Sequence, residues 1–448
     1  MSVSDSISTF ITNEYPRLGL NKRRQIIRLL FEISRREGVH FTKILPGSQD
    51  LNWHFPQIKE FLVNRRYPNL SSPEKKGQVV LPELHIDPGS RAMIKPHTIF
   101  RPRHIYIEEK VDHSGLTRRV RKKFPHAKFT TISTLKNYIK NKKSALRDYN
   151  SRGQNLFIVQ ERWNYFLPCP CSAGSVRCGY QILNLCMGCT YECAYCHLQS
   201  YMNVPGIVMP ANIDDFFARF HNPHQAVRVG TGQFTDSLLF DDFTEFSGPI
   251  IDFFRQHPNI TFEFKTKSIN IARLKRIRPA TNIVIAWSLN PPEIIRRYEL
   301  TTPGLLARLK AAQTCVRHGF RVAFHFDPII MTDRWERSYR DVIERIYSTV
   351  RPREIAWISL GALRMTPRLK KTIENRFPDT HLLDGEFIRG FDNKLRYPPG
   401  LRLKIFATLI SLIRIHDPKT ALYLCMEEPR IVRALKMRPL NYANTAIG

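Results

Sequence analysis

Residues 179–200 read GYQILNLCMGCTYECAYCHLQS. Cys189, Cys193 and Cys196 in this stretch are spaced C-x3-C-x2-C and follow the apolar run 182–185. Thiolates are the ligands that iron–sulfur clusters prefer, and a [4Fe–4S] cluster ordinarily takes four of them. Three thiolates in one short loop can hold three irons and leave the fourth iron open to another ligand. This loop, placed after a predicted strand, sets both the expected fold and the expected chemistry.

Two other kinds of metal site fit part of the same pattern. Adding Cys186 gives C-x2-C-x3-C-x2-C, which contains two of the C-x2-C pairs found in zinc ribbons. Such zinc pairs usually lie about a dozen or more residues apart, whereas only a three-residue gap separates these. A ferredoxin-type cluster with four protein ligands usually has the order C-x2-C-x2-C-x3-C. The spacing favours an open-site cluster, with a closed cluster or a zinc site as the alternatives.

Length and composition predict a globular protein of two or three domains. The chain has 448 residues, of which 42% are hydrophobic, enough for a substantial core. We find no signal peptide and no apolar run near the ~20 residues that span a bilayer, so we expect a cytoplasmic protein without a membrane segment. Seven of the nine cysteines lie between Cys169 and Cys196, which favours metal ligation over disulfides. Cys315 and Cys425 stand alone and are expected to be buried structural thiols.

The formal net charge of +30 is large for a chain of this length. Such a field attracts polyanions, of which nucleic acid is the commonest in a cytosol. The charge is uneven, because residues 101–150 contain 14 lysines and arginines against 4 aspartates and glutamates. The basic residues of this stretch include Arg118, Arg119, Arg121, Lys122, Lys123, Lys140, Lys142, Lys143 and Arg147. The pattern predicts contact with nucleic acid, with a solvated basic surface as the alternative.

The first 168 residues divide into two predicted regions. Residues 1–100 form a basic helical extension, with helices at 21–36 and 57–65 and a linker rich in proline and serine at 67–90. These helices fit a small DNA-binding element or a docking cap equally well. Residues 101–168 form a small basic α/β lead-in domain, with strands at 104–107 and 155–160 and a helix around 132–140.

From the cysteines onward, strand and helix signals alternate. The predicted strands are 182–185, 226–229, 261–266, 282–288, 321–326 and 355–360; the predicted helices are 213–220, 250–255, 304–318, 335–350 and 368–377. About six β-α units imply a parallel sheet rolled into a partial (β/α)6 barrel over residues 169–380. Residues 381–448 are expected to complete the barrel with a hairpin and a helix. In such barrels the chemistry lies at the C-terminal ends of the strands.

The run 179–200, with Tyr195 before the last cysteine, resembles the spore photoproduct lyase family, in a divergent branch. The likeness extends from about residue 104 to about residue 429. It implies a radical S-adenosylmethionine enzyme that repairs DNA by splitting a thymine dimer. It also implies a partial (β/α)6 barrel and a [4Fe–4S] cluster held by Cys189, Cys193 and Cys196. The expected reaction uses a 5′-deoxyadenosyl radical, made from bound S-adenosylmethionine, to take a hydrogen atom from the substrate.

Several further positions match the residues that serve this chemistry in the family. The segment Gly230, Thr231, Gly232 and Gln233 ends the second strand, where such enzymes hold the methionine amino group. Lys267 and Ser288 match residues that contact polar groups of S-adenosylmethionine, and Asp327 matches a segment of the adenosine pocket. Arg396 and Tyr397 align with a hairpin that wedges into DNA, where arginine holds phosphate and tyrosine stacks on a base.

Three departures from the family pattern bear on the reaction. Gln233 stands where the lyase has the cysteine that returns hydrogen to the product. Gln233 and Tyr195, which precedes the last cluster cysteine, are the candidate catalytic residues. His197 replaces a tyrosine after the third cluster cysteine. Cys169, Cys171 and Cys178 are additional to the pattern; together with Cys186 they either ligate a second metal or pack as thiols.

These patterns predict a radical S-adenosylmethionine lyase that acts on pyrimidine photolesions or related damage in DNA. An enzyme of this kind needs a one-electron donor such as flavodoxin or ferredoxin. The alternatives are a radical enzyme that modifies RNA or a protein, and a non-enzymatic nucleic-acid-binding protein stabilised by a metal.

Overall fold

A computed structural model describes residues 3–45, 54–94, 100–140, 146–161, 166–220 and 227–437. Lys142 and Lys143 of the basic stretch lie outside these residues, as does the first residue of the strand predicted at 226–229. The chain forms two compact units, one built from Met1–Ala92 with Leu363–Arg402 and one from Met93–Ala362 with Leu403–Gly448. Each unit is therefore discontinuous along the sequence.

The described elements alternate along most of the chain. The strands are β1 His104–Glu108, β2 Lys128–Ile132, β3 Asn155–Val159, β4 Phe166–Pro168, β5 Gln181–Leu183, β6 Ile207–Pro210, β7 Val227–Thr231, β8 Ile260–Thr266, β9 Ile283–Ser288, β10 Arg321–Ile329, β11 Ile355–Ala362, β12 Arg364–Met365, β13 Ile388–Arg389, β14 Leu395–Arg396 and β15 Leu422–Leu424. The helices are α1 Val3–Glu14, α2 Leu20–Glu37, α3 Phe55–Arg66, α4 Ser72–Gln78, α5 Gly115–Lys123, α6 Leu135–Ile139, α7 Leu146–Asn150, α8 Leu198–Tyr201, α9 Ile213–Ala218, α10 Asp241–Thr244, α11 Ser247–Arg255, α12 Pro292–Tyr298, α13 Leu305–Arg317, α14 Trp335–Thr349, α15 Pro367–Arg376, α16 Pro399–His416 and α17 Pro429–Ala434.

The first unit is a helical bundle with a small antiparallel sheet. Apolar residues at helical spacing on α2, among them Ile26, Leu30 and Ile33, are buried with Ile11 of α1 and Leu62 of α3. The predicted helices at 21–36 and 57–65 are thus confirmed. The strands β12, β14 and β13 form the three-stranded sheet of this unit.

The linker predicted at 67–90 is wrong for much of its length. It contains helix α4, and its proline and serine signals belong to the start of that helix, where Ser71 and Glu74 form a capping box. The rest is held in place, because the Arg28 guanidinium donates to the carbonyl of Pro82 at 2.8 Å and the Asp87 amide donates to Asn375 at 2.6 Å. Prolines and serines here mark ordered chain.

The second unit contains two parallel sheets. The lead-in sheet has the order β2-β1-β3-β6, with every pair parallel. Its fourth strand, β6, comes after the cysteine loop, so the lead-in region extends beyond the predicted residues 101–168. Both sheets belong to one compact unit.

The predicted partial barrel is confirmed by the eight-stranded sheet, whose order is β15-β11-β10-β9-β8-β7-β5-β4. The six expected strands β5, β7, β8, β9, β10 and β11 are parallel neighbours in sequence order. Two additions were not predicted as strands: β4 pairs antiparallel at one edge, and β15 is a seventh parallel strand at the other. Parallel pairing brings the C-terminal ends of these strands to one rim.

Candidate cluster and cofactor site

The cysteine loop lies between β5 and α8 and is tied to both sheets of its unit. Met187 and Val208 exchange backbone hydrogen bonds at 2.9 and 2.8 Å, which joins the loop to β6. The amide of Gly188 donates to the carbonyl of Phe234 at 2.7 Å, which joins it to the segment after β7. The loop backbone is therefore fixed on two sides.

The three thiols of the loop are the donor type that an iron–sulfur cluster takes. Cys189 and Cys193 are buried, and burial raises the pKa of all three thiols, including Cys196. Ligation replaces the proton of each thiol by metal. No group of three His, Cys, Asp or Glu side chains within the described residues is arranged around a single ion. Three cysteines in one loop are a donor set that fits a [4Fe–4S] cluster with one open iron.

Arg152 clamps one side of the loop. Its guanidinium donates to the carbonyls of Cys189 at 2.6 Å, Tyr191 at 2.9 Å and Tyr149 at 2.8 Å. It also forms an ion pair with Glu192 at 2.5 Å, and its side chain is 2% exposed. An arginine fork that satisfies three buried carbonyls fixes the loop more firmly than a single point charge could.

Glu299 organises the other side of the loop. The backbone of residues 298–300 pairs with residues 192–194, where the Ala194 amide donates to the Tyr298 carbonyl at 2.7 Å. The Glu299 carboxylate accepts from Arg308 at 2.5 Å and from the Tyr195 hydroxyl. Burial disfavours the charged carboxylate, but Arg308, Lys267 and these hydrogen bonds lower its pKa to about 2. Glu299 is therefore ionised at neutral pH.

The segment after β7 is shaped by Asp236. Its carboxylate accepts from the Thr266 hydroxyl and from the Lys267 amide, both at 2.6 Å. Gly232 has a φ of 103°, a conformation that favours glycine. These contacts hold the Gly-Thr-Gly-Gln segment against the end of β8.

Gly230 lies where the surrounding protein leaves no room for a side chain. A Cβ at this position would collide with the Tyr180 hydroxyl and would lie 2.5 Å from the carbonyl of Glu263. The close approach is thus made by the protein's own core. Packing alone accounts for this glycine.

The proposed cofactor residues lie at the C-terminal rim. Ser288 is the last residue of β9, Lys267 directly follows β8, and Asp327 lies near the end of β10. The Lys267 ammonium is 5.7 Å from the ring of Tyr195. Burial favours its neutral form, yet Glu299 and Cys193 raise the pKa of Lys267, so it is a cation beside the cysteine loop. Thr231 is the last residue of β7, and Gln233 lies in the segment that follows it.

Arg396 and Tyr397 lie in the first unit, and both side chains are buried. Arg396 pairs with Asp392 at 2.7 Å, and Tyr397 stacks on Phe387 with 4.7 Å between ring centroids. The hairpin's own packing holds both side chains. Contact with DNA would require their release, so the wedge role stays a prediction.

The basic stretch is partly engaged within the protein. Arg121 pairs with Asp112 and Lys123 with Asp242, both at 2.7 Å, while Arg119 donates to the Phe243 carbonyl at 3.0 Å. Arg118 and Lys122 are exposed on α5. The helix therefore presents only part of its charge to a partner.

Sequence reasoning missed the residues that position the site. Arg152, Asp236, Glu299 and Arg308 belong to no recognisable motif and lie up to about 160 residues apart in the chain. The single available signal is the cost of burying a charge, which makes a buried arginine or glutamate a mark of pairing.

Comparison with known proteins gives consistent relatives. Residues 100–391 match the family model described as spore photoproduct lyase. The chain is 24% identical over 237 residues to spore photoproduct lyase of Clostridium acetobutylicum, covering 51% of this chain and 68% of the relative. It is 25% identical over 304 residues to the Bacillus subtilis enzyme of that name, covering 64% and 86%.

Solved structures agree on the fold. Spore photoproduct lyase complexed with dinucleoside spore photoproduct superposes with a TM-score of 0.63 at 22% identity, covering 72% of this chain and 99% of that one. A variant of that enzyme with bound AdoMet and dinucleoside spore photoproduct gives the same values. At this identity, the likeness establishes the fold.

Proposed function

The chain belongs to the spore photoproduct lyase family, and we propose on this basis that it is a radical S-adenosylmethionine lyase that acts on photolesions in DNA. The observation that carries the proposal is the family match, which contains the cysteine loop and every proposed cofactor residue from Gly230 to Asp327. The fold, with the loop after the first barrel strand, supports the same assignment.

Cys189, Cys193 and Cys196 are proposed to ligate the cluster. A [4Fe–4S] cluster with one open iron binds S-adenosylmethionine and, after one-electron reduction, supplies a 5′-deoxyadenosyl radical. The protein's part is to hold the three sulfurs in a buried loop, which Arg152 and Glu299 fix from two sides. Lys267 adds a positive charge next to Cys193, which favours ionised sulfur ligands.

Residues at the rim are proposed to hold S-adenosylmethionine. Gly232 and Gln233 offer backbone groups at the end of β7, while Lys267, Ser288 and Asp327 offer polar groups on the next strands. Gly230 and Thr231 complete this segment. We further propose that a soluble one-electron donor such as flavodoxin or ferredoxin reduces the cluster, and that the enzyme works in the cytoplasm. No helix within the described residues is long and apolar enough to cross a bilayer.

Which lesion the enzyme repairs is linked to how the product radical receives its hydrogen atom. Gln233 has no labile S–H, so another group must return the hydrogen in this chain. Tyr195 and Gln233 are the side chains that we propose to face the reacting atoms. Arg396 and Tyr397 are proposed to contact DNA after the hairpin opens, and they lie just beyond the family match, which ends at residue 391.

The proposal is tested with the anaerobically reconstituted, reduced full chain. It is incubated with S-adenosylmethionine and either DNA carrying spore photoproduct or DNA carrying cyclobutane dimers, and products are identified by mass spectrometry. We expect 5′-deoxyadenosine together with repaired thymidine from one of these DNAs. Cys193→Ala should abolish both products. Formation of 5′-deoxyadenosine that neither lesion DNA stimulates would instead favour RNA or a protein as the substrate.

A further inference from the structure

Four cysteines outside the cluster loop come together in the second unit. The thiol of Cys169 hydrogen-bonds to that of Cys171, and Cys178 and Cys425 lie close enough to act on it electrostatically. The hydrogen bond, burial and these neighbouring thiols all raise the pKa of Cys169. Cys425, expected to be a lone buried thiol, is half-buried and belongs to this group instead.

Cys186, which the sequence leaves either as a metal ligand with Cys169, Cys171 and Cys178 or as a packing thiol, lies elsewhere. It packs against the core of the lead-in sheet, and its Sγ is 3.9 Å from the carbonyl oxygen of Gly188. The fourth thiol near Cys169 is instead Cys425, about 250 residues downstream.

The backbone explains how distant cysteines meet. Cys169 and Cys178 flank the connection from β4 to β5, and the Cys169 amide donates to the Tyr180 carbonyl at 2.9 Å. The Val176 amide in the same connection donates to the Glu427 carbonyl at 2.8 Å, just after Cys425. Because β4 and β15 are the two edges of the eight-stranded sheet, this connection links its opposite edges.

We propose that Cys169, Cys171, Cys178 and Cys425 form a second metal centre with four thiolate ligands, which fastens the two edges of the sheet together. Four cysteines without other ligands suit a structural Zn²⁺ ion or a closed iron–sulfur cluster. Either centre differs from the cluster-loop site because it leaves no position open to a substrate.

The four side chains are not arranged around one point, since none of the described residues forms a ready single-ion site. The same holds for the three cysteines of the cluster loop. A single ion would require the side chains of the irregular segment 169–178 to rotate inward, whereas a cluster would tolerate wider spacing.

Exposure separates this group from cysteines that only fill space. Cys315, on α13, is 1% exposed and packs in the core as an ordinary apolar residue. The four grouped cysteines are all partly exposed, and the Arg228 guanidinium donates to the Cys178 sulfur at 3.6 Å. Partly exposed thiols that meet from separate segments are placed to bind a metal that arrives from solvent.

The test uses the full chain with Cys189, Cys193 and Cys196 changed to alanine, so that the first cluster is removed. After anaerobic purification and reconstitution, iron, sulfide and zinc are measured per chain. We expect a stoichiometric metal to remain, either zinc alone or iron with equal sulfide, and these two results identify the centre. Adding Cys425→Ser should lower that metal at least fivefold, while adding Cys315→Ala should leave it unchanged. Less than a tenth of an equivalent of either metal before the Cys425→Ser change would overturn the proposal.

A second measurement leaves the four grouped cysteines unaltered, so it does not depend on the folding of a Cys425 variant. The same three-alanine protein, otherwise unaltered, is alkylated before and after treatment with a strong chelator, and modified cysteines are located by mass spectrometry. We expect all four grouped thiols to become at least tenfold more reactive together after chelation, while Cys315 stays protected in both states. Reactivity that is the same before and after chelation, or a disulfide between Cys169 and Cys171, contradicts a metal centre.

Discussion

At the scale of single residues, Glu299 shows how a buried charge can position a reactive loop. Its carboxylate is 1% exposed and is held ionised by Arg308, the Asn290 amide and the Tyr195 hydroxyl. Replacing the carboxylate leaves buried cations without a counter-charge. The arrangement of the cysteine loop therefore depends on a residue about 100 positions further along the chain.

Glu299→Gln should lower the free energy of unfolding by roughly 3 kcal/mol at pH 7, from a pKa of about 2 against 4.5 when unfolded. Because the folded pKa is the lower one, this stabilisation is complete above about pH 5 and is lost as the pH falls from 4.5 towards 2. Urea unfolding measures this difference in unfolding free energy. The chain used has its three cluster cysteines changed to alanine, so that loss of iron at low pH does not affect the result. The wild-type and variant curves should converge at low pH.

Asp252→Asn is the matched control, since its ion pair with Arg255 is exposed and should contribute less than about 1 kcal/mol. Equal losses of unfolding free energy from the two substitutions would show that the buried Glu299 network contributes no more than an exposed ion pair.

Arg152→Met should destabilise the cluster loop. It removes the donor to two loop carbonyls and to the Tyr149 carbonyl, and it takes away the cation that pairs with buried Glu192, at a cost of about 3 kcal/mol. The rate of iron loss to a chelator should rise severalfold, with Arg118→Met on the exposed face of α5 as the control. Adding Glu192→Met should recover stability without slowing iron loss. If iron loss is unchanged in Arg152→Met, the clamp has no role in holding the cluster.

The three cysteines stood out in the sequence because metal ligation demands fixed residue types at fixed spacing, and their role as ligands stays a prediction. Arg152 and Glu299 did not stand out, because any chain segment that folds beside the loop can supply a charge. Cys425 illustrates the same limit, since its partners lie about 250 residues away and only the sheet edges bring them together.

At the scale of elements, strands flanked by long helices were predictable. Strands β8, β9 and β10 and helices α13 and α14 lie within a few residues of their predicted bounds, because continuous apolar runs and helical spacing are clear there. Strands β6 and β15 have four and three residues, too few for periodicity to show. Helix α5 was missed because its five basic residues obscure the buried pair Leu116 and Val120.

Gly230→Ala tests whether packing within β7 requires this glycine. Since a Cβ would collide with Tyr180 and with the β8 backbone, we expect a loss of about 1–3 kcal/mol in unfolding free energy. Gly77→Ala on α4 meets nothing within 4 Å and should be neutral or slightly stabilising. Chemical denaturation measures both. Tyr180→Phe should recover only part of the loss, because the β8 carbonyl remains; an unchanged stability in Gly230→Ala would point instead to a ligand-binding reason.

At the scale of the whole molecule, the charge of +30 predicts strongly salt-dependent binding to DNA. If about six phosphates are neutralised, affinity for duplex DNA should fall about a thousandfold between 50 and 200 mM salt. Arg118→Glu with Lys122→Glu on α5 should weaken binding and reduce the salt slope by about one per lost contact. Lys310→Glu on α13 is the control of equal charge change per site. Because Lys310→Glu makes half the charge change of the α5 double variant, an effect half as large would mean that only net charge matters.

Because the chain forms two compact units, we expect that destabilising the N-terminal helices also destabilises the hairpin that contains Arg396 but not the barrel. Glu32 is buried between Lys370 at 2.6 Å and Arg66 at 2.8 Å, and Arg66 also donates to the Gly385 carbonyl at 3.0 Å. Glu32→Gln removes the carboxylate that both cations contact and leaves Lys370 only the more distant Glu374, at 4.0 Å, so we expect a loss of about 3 kcal/mol within this unit. Hydrogen exchange should then quicken in α15 and residues 381–396 but not in β8–β10. Glu37→Gln, which breaks a partly exposed pair with Arg65, should change neither the unfolding free energy nor the exchange rates. Uniformly faster exchange across both units would show that they unfold together.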